Sequence, residues 1–180
     1  NPAAGGAAIE AEPEGHSDGV SALVNFTDPA TGALRVATGS WDKKILVWDA
    51  ETGGVLLVID VGSDVNALAF FMDPATGAPR LACGSDDGNV RVVDPVAGGE
   101  ALLVIDVGSH VLALAVFTDL ATGVPRLACG TGYPHMDVRI FDPVAGGEAL
   151  VVIDVDAGAL AVFADPATGE LRIACGREYG

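Results

Sequence analysis

Three histidines, three cysteines and 25 acidic residues are the groups in this 180-residue chain that could do chemistry. Their spacing argues against most of it. His16, His110 and His135 are scattered, and none carries a metal-ligand spacing. Cys83, Cys129 and Cys175 recur at intervals of 46 residues, an odd set with no short spacing, which fits no zinc pattern. Such intervals put them at equivalent places in successive units, too far apart to be bridged. They read as small buried apolar residues of a reduced, intracellular protein, cytoplasmic or nuclear. No Gly-Lys-Ser/Thr phosphate loop and no serine nucleophile elbow is present. The glycines fall at repeated turn positions, where backbone conformation explains them. No catalytic residue, metal or cofactor is expected.

The carboxylates remain. Asp60, Asp106 and Asp154 each close a Val-Ile-Asp triplet, with Asp64, Asp86, Asp87 and Asp156 nearby. Against nine Lys and Arg the formal charge is −16. A surface so acidic repels phosphate backbones, so no nucleic-acid partner is expected, and it attracts cationic groups. No apolar run approaches the ~18 residues that span a bilayer, and no signal peptide is visible, so no membrane partner is expected. The chain begins at Asn1 rather than Met, so a targeting signal is not legible.

What positions these groups is a repeat. The stretch from Phe26 to Gly39 returns from Phe71, Phe117 and Phe163, at steps of 45, 46 and 46 residues. A fixed period of this size marks units that bury their apolar faces against one another. The second unit has four short runs, Val65–Phe71, Pro79–Ser85, Asn89–Asp94 and Ala101–Asp106. They are too short for amphipathic helices, and the last two are rich in β-branched residues. The third alternates polar and apolar residues as a half-solvated strand does, whereas the first and fourth are apolar nearly throughout, as fits cover on both faces. Asp73-Pro-Ala-Thr-Gly77, Ser85-Asp-Asp-Gly88 and Asp94-Pro-Val-Ala-Gly-Gly99 supply turn chemistry between them. The unit is an antiparallel four-stranded meander, and such units at this period are the pattern of an all-β fold, the β-propeller.

The first unit carries Gly15-His16, Ala37-Thr38-Gly39-Ser40, Asp42 in the next turn, and Trp48-Asp49. On these residues the chain resembles the WD-repeat (tryptophan–aspartate repeat) β-propeller family. The resemblance implies that His16, Thr38, Asp42 and Trp48 form a structural hydrogen-bond network, in which the indole N–H and the imidazole find partners. The other units depart from it. Trp48 becomes Val93 and Phe141, Thr38 becomes cysteine, and His16 has no counterpart in units two and three. Asp87 survives in the second unit, while Gly132 to Met136 replaces the turn in the third with two extra residues.

The expected organisation is one repeat array over 1–180. Residues 1–14, whose start matches Asp94 to Gly99, read as the last strand of a preceding blade. Blade one spans 15–60, blade two 61–106, blade three 107–154, and 155–180 is the first half of blade four. This is a partial ring of about three and a half to four blades. Its open edges call for missing blades of a longer propeller or for a second copy.

The resemblance places the loop between runs two and three, and that from run four to the next unit, on one rim where partners dock. That rim gathers Trp41, Asp60, Asp64, Asp86, Asp87, Asp106, His110 and Asp154, with Tyr133 and His135 in the insertion. Loops on a rigid frame suit binding, and carboxylates in a ring suit lysine or arginine. The same aspartates also serve as turn caps. Arg35, Arg80, Arg126 and Arg172 recur on the opposite rim beside Asp28, Asp73, Asp119 and Asp165, where local pairing is expected. The expected function is a non-catalytic protein-interaction scaffold for a protein or basic peptide. The alternatives are a purely structural segment of a larger protein with an effector domain elsewhere, and a propeller enzyme or metal-binding propeller that uses central carboxylates.

Overall fold

The structure, a computed structural model, describes residues 15–176. The strand expected over 1–14 lies outside the described residues. Blade one is β1 (Val20–Thr27), β2 (Leu34–Ser40), β3 (Lys44–Asp49) and β4 (Val55–Asp60). Blade two is β5 (Val65–Met72), β6 (Pro79–Ser85), β7 (Asn89–Val93) and β8 (Leu103–Asp106). Blade three is β9 (Val111–Thr118), β10 (Pro125–Thr131), β11 (Val138–Phe141) and β12 (Val151–Ile153), and β13 (Ala159–Ala164) and β14 (Leu171–Gly176) belong to blade four. Each sheet is an antiparallel meander in sequence order, and no helix occurs among the described residues.

The sheets pack face to face along their first strands. β1 meets β5, β5 meets β9, and β9 meets β13. The sequence dictates this order. One face of each first strand carries small residues and a phenylalanine: Ala67, Ala69 and Phe71 in β5, Ala113, Ala115 and Phe117 in β9. The opposite face carries larger groups, Leu68 and Phe70, then Leu114 and Val116. Large groups of one blade fill the space left by small groups of the blade before it. Phe26 stacks on Phe70 with ring centroids 4.9 Å apart. Two large apolar clusters result, one between blades one and two around Ile45, Leu81 and Cys83, the other between blades two and three around Val90, Leu127 and Phe141, with a smaller one between blades three and four around Ala128, Val138 and Ala157.

The tightest approach is at the end of each second strand. A Cβ on Gly39 would overlap the Val65 side chain, one on Gly84 would overlap Val111, and one on Gly130 would overlap the Ala157 carbonyl. Glycine is required there because the next blade begins against the backbone.

Two expectations are corrected. The fourth run is not covered on both faces: Leu56 and Val58, like Leu102 and Val104, are more than half exposed. It is the outermost strand, where twisted sheets splay apart. Cys83 and Cys129 are fully buried, but Cys175 is exposed, because β14 is paired on one side only among the described residues.

Candidate functional site

Blade one holds an enclosed polar chain. Trp48 Nε1–H donates to Thr38 Oγ1 at 2.8 Å, His16 Nε2 lies 2.8 Å from the same oxygen, and His16 Nδ1 lies 2.8 Å from Asp42 Oδ2. With the proton on Nδ1, every group has a partner: indole to hydroxyl, hydroxyl to imidazole, imidazole to carboxylate. Burial pushes the Asp42 carboxyl up, but His16 and the Ser17 and Lys44 amides outweigh it and hold it below the ordinary range.

Blades two and three reach the same end with different residues. Arg91 pairs opposite Cys83, and Arg139 opposite Cys129, where blade one has Leu46 opposite Thr38. Arg91 donates to Asp87 and to Ser85 Oγ. Partial burial raises the Asp87 carboxyl, yet bonds from Arg91, Ser85 and the Asn89 amide prevail and lower it to about 2. In blade three, Thr131 Oγ1 donates to Asp137 Oδ1 at 2.7 Å, Arg139 clasps both Asp137 oxygens, and its Nη1 donates to the Val107 carbonyl at 2.7 Å. Asp137 restores the turn aspartate after the insertion. Sequence reasoning passed over Arg91, Arg139 and Asp137. The signal available was an aspartate four or two residues before an arginine that faces the strand carrying cysteine.

The rim residues come together. The turn after each second strand leans on the segment that enters its blade: Trp41 N–H donates to Gly19 O, Asp86 to Asp64 O and Gly132 to His110 O. Between blades two and three these loops frame a shallow groove of about 290 Å³, lined by Asp86, Asp87, Gly88, Ser109, His110 and Tyr133. Asp86 Oδ1 accepts from Asn66 Nδ2 at 2.7 Å and lies 3.4 Å from His110 Nδ1. Asp87 is engaged with Arg91, so Asp86 is the carboxylate of the groove that no arginine neutralises. Tyr133 is 77% exposed and Trp41 51%. Asp106, Asp154 and His135 are exposed near this rim. Asp60 is exposed as well, and its Oδ1 caps the Gly62 amide at 2.9 Å. Among the described residues no cluster of three or more His, Cys, Asp or Glu could hold a metal ion.

On the opposite rim each arginine spans two carboxylates. Arg35 reaches Asp28 and Asp49, Arg80 reaches Asp73 and Asp94, and Arg126 reaches Asp119 and Asp142. Arg172 pairs with Asp165 and Glu170. The sequence reading named the first partner of each and missed the second, which lies at the end of the third strand for Arg35, Arg80 and Arg126 and just before β14 for Arg172. Asp28, Asp73 and Asp119 are held below the ordinary carboxylate range, first by the Ala30, Ala75 and Ala121 amides, then by Thr31, Thr76 and Thr122, and least by these arginines. Each arginine is thus shared by two carboxylates, and this rim stays acidic too.

The WD40 family model (WD domain, G-beta repeat) matches residues 9–49 and 57–94. No curated protein matches the chain in sequence. Among solved structures, the computationally designed Ika4 protein is similar over 90% of this chain and 94% of its own, with TM-score 0.59 and 25% identity. The computationally designed Ika8 protein gives TM-score 0.59 and 26% identity over 90% of this chain and 47% of its own. A chain of the Mitotic Checkpoint Complex, at 21% identity and TM-score 0.64, is similar in fold over 89% of this chain and 49% of its own. The array thus spans nearly all of Ika4 and about half of the other two. The His16–Thr38–Trp48 chain, the two repeats that match the WD40 family and the face-to-face packing of four-stranded blades agree, and the described residues have the fold of a WD-type β-propeller array.

Proposed function

We propose that this chain is a non-catalytic interaction scaffold that takes a basic peptide on its acidic rim, at the groove between blades two and three. WD40 repeats generally serve as protein-interaction scaffolds, and the finer reading rests on one observation. Asp86, carrying no arginine partner, faces the same groove as the exposed ring of Tyr133. A carboxylate and an aromatic face together suit a lysine or arginine side chain, by charge and by cation–π attraction. The net charge of −16 speeds the approach of such a segment. Calorimetric titration with an arginine- and lysine-rich peptide tests this. Binding that weakens as salt rises is expected, with Asp86→Lys and Tyr133→Ala each lowering affinity about tenfold or more. Affinity unchanged in both variants, or no binding at low salt, overturns the reading.

A further inference from the structure

The two ends of the array are the two halves of the seam it already makes internally. At the first two internal seams a β-branched residue opening a first strand seats on the glycine near the end of the previous second strand, and at the third the Ala157 backbone takes that place on Gly130. Val65 seats on Gly39 and Val111 on Gly84, with Leu68 and Leu114 packing beside them. Val65 and Val111 are fully buried. In blade one the same register position is Val20, paired with Ser40 as Val65 is with Ser85. Val20 is 56% exposed, and Leu23, the counterpart of Leu68, is 66% exposed.

At the other end the receiving half is bare. Gly176 is the counterpart of Gly39 and Gly84, and a Cβ there would meet only Ala159 of its own sheet, at 3.5 Å. Ala159, Ala161 and Ala174 are exposed, although their counterparts Ala67, Ala69 and Ala82 are buried. Phe163 is 49% exposed where Phe71 is 5%. Protruding Val20 and Leu23 stand at one end and a glycine–alanine hollow at the other. None of these residues is charged.

We propose that a second copy of this chain covers both ends, head to tail, with Val20 and Leu23 of each copy seated on Gly176 and the β13 alanines of the other. The contact continues a seam whose complementarity the molecule shows at Gly39 and Gly84. Among the described residues each copy has three four-stranded sheets and one two-stranded sheet, so two copies bring eight sheets, within the range of about four to eight blades that closes a ring. Asn25 favours a separate molecule over a permanent neighbour. It stands on the face where inner blades bury Phe70 and Val116 against the preceding sheet, and a polar group there suits a surface that also meets water.

Sedimentation of the 180-residue chain is the test. A species of twice 18.1 kDa is expected, with no larger ladder as concentration rises. Val20→Asp and Gly176→Leu should each give monomers. Both sites are exposed, so the far-ultraviolet spectrum and melting of the monomer should survive, and Leu23→Asp is the second variant for the protruding face should Val20→Asp fail to fold. An equimolar mixture of the two monomeric variants should associate again, because one keeps an intact hollow and the other an intact protrusion. A folded wild-type monomer up to high micromolar concentration overturns the proposal and leaves these faces to other blades. A dimer insensitive to one of the two variants means face-to-face association, and a ladder means an open chain. Either overturns the closed pair.

Discussion

Trp48 needs an acceptor wherever its indole is enclosed, and Thr38 supplies it in blade one. Blades two and three have no tryptophan, and the burden shifts to an arginine on the same strand that grips the turn aspartate. Removing one partner of such a pair leaves the other partly buried without compensation. The pH dependence follows. The Asp87 carboxyl is lowered from 3.8 to about 2 in the folded chain, so its contribution to stability is complete above 3.8 and is lost as pH falls through about 2. Thermal melts across this window should decline more steeply for the wild type than for Asp87→Asn. Equal slopes would show that Asp87 is not a source of acid sensitivity. Lys43 sits at φ 70° where blade two has Gly88 at φ 80°. A lysine tolerates that conformation less well than glycine.

Among the elements, the second strand of each of the first three blades is an inner strand of its sheet and is the most enclosed. Ala37, Ala82 and Ala128 are all at 0% exposure. Its cysteines report on that enclosure. Burial pushes the Cys83 thiol up to about 12 and raises Cys129 as well, so neither offers thiolate at neutral pH. In β14 the equivalent Cys175 is exposed. Brief treatment of the native chain with an alkylating reagent should modify Cys175 alone, and denaturant should open all three, as intact mass would show. Rapid native labelling of Cys83 or Cys129 would contradict the packing of blades two and three.

Over the whole molecule, stability should be graded along the array, because each blade is supported only by its neighbours. Blade two is flanked on both faces, and its seams with blades one and three hold the two large clusters. Blade four has two described strands and one covered face. Amide hydrogen exchange on the Val20→Asp variant, whose ends are free, should be slowest in β6 and fastest in β13 and β14. Uniform protection would mean that the array unfolds as one cooperative body. Charge belongs to this scale too. On the arginine rim each cation is shared by two carboxylates, so the excess acidity is spread over both rims, including the one with Asp86, where it shapes the approach of any partner.

Periodicity and turn chemistry alone determined the four-stranded units, since alternation and Asp-Pro-Ala-Thr-Gly turns are local properties of the chain. For blade two the strand limits agree within two residues. The His16, Thr38, Asp42 and Trp48 set was legible because that repeat keeps the family's residues in place. Only the packed structure decided the rest. Arg91 and Arg139 look like solvated strand positions until the turn aspartate folds over them. Asp49, Asp94 and Asp142 become second arginine partners only when the second and third strands pair. The exposure of Val20 and Gly176 is invisible in a repeat, because identical residues are core or surface according to whether another blade lies against them.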